Sequence, residues 1–309
     1  MRLFKPKFWK KRNILSVSLI PLSLIVYLCI LLKKKFTKIV SYKIPVICVG
    51  NIYIGGTGKT PLSLYVANEL KKRGKNPVIV RKYYKNHKDE HDLIKKNFKS
   101  FILNKSRDKA IRKAEKRGFD SVILDDGFQD YKIKKDLNII CFNSNQLDGN
   151  GLIIPAGPLR ENFSSLKDAE IVIINGKKTA SFEKKIFKIN SDIQTFYSEY
   201  KPIDIQRLKD KKFIAVVGIG NPENFLSLLK ENGINVLKNY ILPDHYQFSK
   251  KETDIFIKDA ENNDCEVILT EKDFYKVKNH NLNRIECLKV VLNIEEKEKL
   301  FNKILKIYD

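Results

Sequence analysis

The sequence predicts an α/β chain with a mostly parallel sheet domain, a second, smaller α/β domain and an apolar helix at the N-terminus. Two patterns carry this reading. Between residues 45 and 175, short apolar runs alternate with helical stretches. Such alternation marks βαβ units, and so parallel strands with helices on both faces. After a less patterned stretch, the alternation restarts near residue 213 and runs to the C-terminus. A chain of 309 residues has room for about two domains of roughly 100–200 residues each. The expected boundaries are 1–40 for the helix and its basic flanks, 41–190 for the first α/β domain and 191–309 for the second.

Each element has a local reason. Residues 45–50 (PVICVG) form an unbroken apolar run, as a strand buried on both faces should. Residues 59–73 read as a helix stopped by Gly74, because glycine takes the left-handed turn that ends helices without strain. Residues 77–81 are a second strand, and 108–117 a helix ended at Gly118. Strands follow at 121–126, 137–142 and 171–175, all rich in Val, Ile and Leu. Residues 191–210 read as a linker. Beyond it come strand 213–218, helix 222–232, strand 235–241, helix 250–262, strands 266–270 and 288–292, and helix 294–307.

Composition narrows the class. The chain is 43% hydrophobic, enough for a real core, and its five cysteines are scattered with no disulfide or zinc spacing. Net charge is +23, which favours anionic partners, but only ten of the 59 basic residues are arginine. Bidentate reading of bases leans on arginine, so no nucleic-acid partner is expected. Residues 14–32 contain no charge, and thirteen of the nineteen are Leu, Ile or Val. As one helix they would be about 28 Å long, near the hydrocarbon thickness of a bilayer. Arg2, Lys5, Lys7, Lys10, Lys11 and Arg12 precede them, and Lys33, Lys34 and Lys35 follow. This is a membrane-associated helix, and spanning and lying in an anionic interface both fit.

The strongest motif is VGNIYIGGTGKTP, residues 49–61. A buried strand runs into a glycine-rich turn, and a helix starts at Lys59-Thr60. Gly55, Gly56, Thr57 and Gly58 let backbone N–H groups point at an anion held at the positive helix end. Lys59 is placed to reach β- and γ-phosphates and the Thr60 hydroxyl to meet Mg²⁺. The strict pattern has glycine where this chain has Tyr53. The fold class is therefore a P-loop NTPase-like sheet domain with a smaller α/β partner. The second motif is ILDDGFQ, residues 123–129, in which an apolar strand delivers Asp125 and Asp126 to its carboxyl end, where parallel sheets open their ligand crevice. Either carboxylate suits Mg²⁺ or a nucleophile.

Together with GNG (149–151), PAGPLRE (155–161), GIGNPE (218–223), PDHY (243–246) and TEKD (270–273), these motifs resemble, in order, the tetraacyldisaccharide 4′-kinases, the lipid A 4′-kinases of Gram-negative bacteria. The resemblance covers nearly the whole chain. It implies transfer of the γ-phosphate of ATP, with Mg²⁺, to the 4′-hydroxyl of an acylated glucosamine disaccharide 1-phosphate. It also implies work on the lipid surface at the cytoplasmic face of the bacterial inner membrane, and a monomer is expected. Residue by residue, it implies that Lys59, Thr60, Asp125 and Asp126 serve the phosphates and metal, and that Arg107 lies near the phosphates. Asp89, beside Glu90, is implied to activate the sugar hydroxyl, with His245 paired to it. Arg81, Tyr83, Gln129, Arg160 and Glu161 are implied on the acceptor side. The chain departs from the family pattern at Lys82, His91 and Asp130 and has a short loop before Asp89. The residues alone also admit a membrane-attached P-loop ATPase or GTPase with no lipid acceptor. GIGNPE lacks the third glycine of a dinucleotide site and reads as a strand–turn–helix start.

Overall fold

The structure is a computed structural model describing residues 6–309 except 86 and 245. From the N-terminus it forms α1 (Ile14–Ser18), α2 (Ile20–Phe36), β1 (Val46–Gly50), α3 (Lys59–Lys72), β2 (Pro77–Lys82), α4 (Lys88–Asn97), β3 (Phe101–Asn104), α5 (Arg107–Lys116), β4 (Ser121–Asp125), β5 (Leu137–Asn143), β6 (Ile171–Asn175) and α6 (Ala180–Phe187). It continues with β7 (Gln194–Pro202), α7 (Gln206–Lys209), β8 (Lys212–Val217), α8 (Pro222–Glu231), β9 (Asn235–Ile241), α9 (Lys250–Asn262), β10 (Glu266–Thr270), α10 (Glu271–Val277), β11 (Ile285–Leu288), β12 (Val290–Ile294) and α11 (Lys297–Leu305). Two compact units result. Of the described residues, one holds 6–83, 98–199 and 294–309 and the other holds 84–97 and 200–293.

The larger unit is built on strands in the order β7-β6-β5-β1-β4-β2-β3. The pairs from β3 through β7 are parallel. The chain winds from β1 outward to β3 on one side, returns through β4, and then winds out through β5 and β6 on the other. The order therefore reverses at β1, whose carboxyl end faces the crevice where α/β sheets take their ligands. Strands β1, β4, β5 and β6 are buried at every residue, as expected of strands covered on both faces. Helix α3 buries Leu62, Val66 and Leu70, spaced four apart on one face. Each such side chain contributes about 1.5–3 kcal/mol on burial. At its far end the helix is fixed by Glu69, whose carboxylate meets Lys72, Arg73 and Lys297 at 2.6–2.9 Å.

The second unit carries a parallel four-stranded sheet of order β11-β10-β8-β9. Its core holds Phe213, Ala215, Val217, Leu229, Ile268 and Leu288 on one side and Ile214, Val216, Val267, Leu269 and Val277 on the other. The alternation along β8 is that of a two-faced strand.

Several elements differ from the sequence reading. The apolar stretch is not one helix. It breaks at Leu19, because Asn13 and Ser16 form a capping box that starts α1 and Pro21 opens α2 afresh. Among the described residues no helix is long and apolar enough to cross a membrane. The 191–210 stretch, read as linker, contains β7 and α7, and the single strand expected at 288–292 is two, β11 and β12. Helix α4 and strand β3 fill a stretch to which the sequence reading assigns no element, and residues 84–97, except 86, group with the second unit.

Candidate active site

The glycine-rich turn links β1 to α3 as the motif requires. Gly55 and Gly58 take φ of 100° and 93°, which residues with a Cβ rarely adopt. The start of α3 has no side-chain cap, so its first N–H groups are left to an anion. Tyr53 is buried and extended, bridged antiparallel to Leu159. On either side, Arg160 N–H donates to Ile52 O (2.7 Å) and Ile54 N–H to Pro158 O (2.9 Å). The PAGPLRE backbone thus braces this end of the loop, and the glycine of the strict pattern is not needed there. Asn51 closes the turn from within, donating to Thr57 Oγ1 (2.9 Å) and Gly55 O (3.3 Å).

Asp125, at the end of β4, is fully buried. The Thr60 hydroxyl donates to its Oδ2 and the Ser63 hydroxyl to its Oδ1, each at 3.1 Å. Arg81, at the end of β2 and 4% exposed, forms an ion pair with the same Oδ2 and donates to Thr60 Oγ1 at 3.2 Å. Asp126 takes φ of 58°. Its Oδ1 lies 2.9 Å from Arg160 Nη1 and 3.6 Å from Lys59 Nζ. Its carbonyl accepts from Arg107 Nη2 at 2.5 Å, and Arg107 also pairs with Asp130 at 3.3 Å. Burial alone would raise the Asp126 pKa. The surrounding Lys59, Arg160, Arg81 and Arg107 outweigh it and hold the carboxyl well below the usual range. Gln129 donates to Asn51 O (2.8 Å), tying the acidic loop to the glycine-rich one. Among the described residues no group of three or more His, Cys, Asp or Glu converges. Metal capacity here rests on the hard oxygens of Thr60 and the two aspartates, which suit Mg²⁺ supplemented by phosphate and water.

In the second unit, Asp89 lies in the first turn of α4 and is 3% exposed. Lys272 Nζ lies 3.6 Å, and Lys276 Nζ 3.8 Å, from the same Oδ2 of Asp89. Lys272 also meets Glu90 (3.3 Å) and Asp244 (3.0 Å).

Comparison with known proteins fits this geometry. The family model described as tetraacyldisaccharide-1-P 4′-kinase (LpxK) matches residues 15–309. The chain belongs to the tetraacyldisaccharide 4′-kinase family. A Pelagibacter ubique protein named tetraacyldisaccharide 4′-kinase is 41% identical, with 99% of each chain covered. One of the same name from Rickettsia bellii is 34% identical over 99% of each. The crystal structure of Aquifex aeolicus LpxK, described as in complex with ATP, is 27% identical, superposes with a TM-score of 0.73, and covers 96% of this chain and all of its own.

Among the residues that the family resemblance singled out, the structure brings together Lys59, Thr60, Arg81, Arg107, Asp125, Asp126, Gln129 and Arg160 in the larger unit. Tyr83 is 42% exposed and borders an open cavity of about 370 Å³ with Leu103, Asn104 and Lys105. Glu161 is buried with its carboxylate 2.9 Å from Lys34 of α2. His245 lies outside the described residues. Sequence reasoning missed Ser63, whose spacing three residues after Thr60 puts it on the same helix face. It singled out TEKD without giving Lys272 a role, and it missed Lys276, one helical turn further on.

The apolar N-terminal segment is strapped to the loops carrying GNG and PAGPLRE. Trp9 Nε1 donates to Pro155 O (3.0 Å), Arg12 Nε to Asn150 O (3.1 Å), and Asn150 Nδ2 to Phe8 O (3.1 Å). Buried Ser23 donates to Ile153 O (2.8 Å) and accepts from Ala156 N–H (3.0 Å). The remaining faces of α1 and α2 expose Ile14, Leu15, Val17, Leu24, Ile25 and Leu28, each more than half accessible.

Proposed function

We propose that this chain is an ATP-dependent lipid kinase that phosphorylates the 4′-hydroxyl of tetraacyldisaccharide 1-phosphate, as in lipid A biosynthesis. The observation that carries this reading is the Thr60–Asp125–Arg81 and Lys59–Asp126–Arg160 cluster at an uncapped, glycine-led helix start, in a chain of this family.

The sugar oxygen attacks the γ-phosphorus and a new P–O bond forms. The bond to the bridging β–γ oxygen breaks, and ADP leaves with that electron pair. The hydroxyl proton passes to Asp89. His245, on the family resemblance, pairs with Asp89. N–H groups from Gly55 to Thr60 hold the triphosphate, and Lys59 meets charge developing on its outer oxygens. Thr60 with Asp125 and Asp126 would hold Mg²⁺, which neutralises phosphate charge when bound. Arg107 fixes the backbone of Asp126 and so the direction of its carboxylate. Arg160, Gln129, Glu161, Arg81 and Tyr83 are assigned to the acceptor side or its support.

The enzyme works at the cytoplasmic face of the inner membrane as a peripheral monomer. The exposed apolar residues of α1 and α2 and the run Lys33–Lys34–Lys35 support docking on an anionic leaflet.

The test is purified protein with γ-labelled ATP and the disaccharide 1-phosphate in mixed micelles. Label recovered in the lipid phase, one phosphate per acceptor, is the expected result. Release of all label as inorganic phosphate would instead identify a membrane-attached ATPase without a lipid acceptor.

A further inference from the structure

We propose that Lys272 and Lys276 of the TEKD helix are positioning residues for Asp89, holding its carboxylate ionised and aimed for proton abstraction. This rests on the reading of Asp89 as the base.

The observation is a buried cluster built from three separated pieces of chain. Both ammonium groups lie within 4 Å of one Asp89 oxygen. Two cations so close to a shielded carboxylate favour its charged form over the protonated one. The acids of the cluster contact the lysines. Glu90 and Asp244 face Lys272, and Asp273 faces Lys276 at 2.6 Å. His91 on α4 and His87 just before it flank Asp89, and His87 lies 3.3 Å from Glu90. Farther along, Lys278 pairs with Asp92. Burial would lower the Lys272 pKa, but Glu90, Asp244 and Asp89 together raise it above its ordinary value. It therefore stays a fixed cation.

Lys276 is held just as firmly. It is 1% exposed on its side chain and donates to Gly218 O (2.8 Å) and Asp273 (2.6 Å). Asp273 in turn accepts from Gly218 N–H (2.9 Å) and Thr270 Oγ1 (2.9 Å). A Cβ on Gly218 would sit 3.1 Å from Asp273 Oδ1 and 3.4 Å from Lys276 Nζ, so glycine lets the backbone close on the lysine. The GIGNPE and TEKD motifs thereby acquire one shared task, fixing two cations against Asp89.

The test is the pH profile of lipid phosphorylation by full-length enzyme in mixed micelles, comparing wild type with Lys272→Gln, Lys272→Arg and Lys276→Gln. Loss of one of the two cations is expected to move the acidic limb of kcat up by about one pH unit. Turnover falls about tenfold below the limb and recovers at high pH, while KM for ATP stays unchanged. Lys272→Arg restores the wild-type limb. Lys272, the more exposed of the pair, keeps the test alive if Lys276→Gln does not fold. An acidic limb unmoved in the Gln variants, with Asp89→Asn still lowering lipid turnover at least a hundredfold, would overturn this proposal and leave the base in place. Wild-type turnover by Asp89→Asn would overturn the base reading itself.

Discussion

Arg81→Met is expected to unbalance the larger unit more than any other single change at its site. The guanidinium is 4% exposed and Asp125 not at all. Among the described residues, removing the cation leaves a buried carboxylate supported by the hydroxyls of Thr60 and Ser63. Breaking a buried pair from one side costs about 3–5 kcal/mol. The two remaining donors argue for the lower end, about 3 kcal/mol. For a unit of this size that corresponds to a melting temperature roughly 6–12 °C lower. The assay is thermal unfolding of the nucleotide-free chain followed by tryptophan fluorescence. Trp9 is the sole tryptophan and is bonded into this unit through Pro155. Arg81→Met/Asp125→Leu is expected to recover most of the loss, since it removes the stranded charge. A single variant within about 1 kcal/mol of wild type, or a double variant no better than the single, would refute the argument.

Lys59→Ala is expected to lower kcat/KM for lipid phosphorylation at least ~10²-fold, about 3 kcal/mol, as for loss of one preorganised donor; near-normal turnover counts against the phosphate-loop assignment. Glu69 yields a pH prediction. Burial raises its pKa, but Lys297, Lys72 and Arg73 bring it from 4.5 down to about 2. Its stabilising share is complete above pH 4.5 and is lost as pH falls from there toward 2. After allowance for solvent screening the share is no more than about 2 kcal/mol. Urea midpoints measured between pH 6 and 3 should fall more steeply for wild type than for Glu69→Gln; parallel curves would contradict this. Leu24→Asp/Leu28→Asp should abolish co-sedimentation with anionic vesicles and leave the melting temperature unchanged, since both leucines are more than half exposed. Retained sedimentation would place the lipid contact elsewhere.

What the sequence made legible follows the range of the forces involved. The turn from β1 into α3 and the Asp125–Asp126 pair are local patterns, and the structure puts Thr60 against Asp125. Helix α4 was not legible. Its segment KDEHDLIKKN carries two large apolar residues, and it is held by ion pairs to lysines nearly two hundred residues later. The same distance hid what Lys272, inside the TEKD motif, and Lys276 are placed against. Strand β7, read as linker, buries only Phe196, Tyr197 and Ser198 amid polar neighbours, so its strand pattern is short. The break in the apolar N-terminal stretch turns on Pro21, which has no N–H to carry α1 onward and opens α2 instead, a signal outweighed by thirteen branched aliphatic side chains.

The strap between the N-terminal helices and the loop of residues 150–160 has a practical side. Anyone wanting a detergent-free preparation would first delete everything before residue 38. That deletion removes the Ser23 hydroxyl, orphaning Ile153 O and Ala156 N–H, and it frees the indole's acceptor at Pro155. All three lie within seven residues of Arg160, whose guanidinium touches Asp126. Repainting the outward positions of α2 with polar side chains would gain solubility and leave the clasp shut.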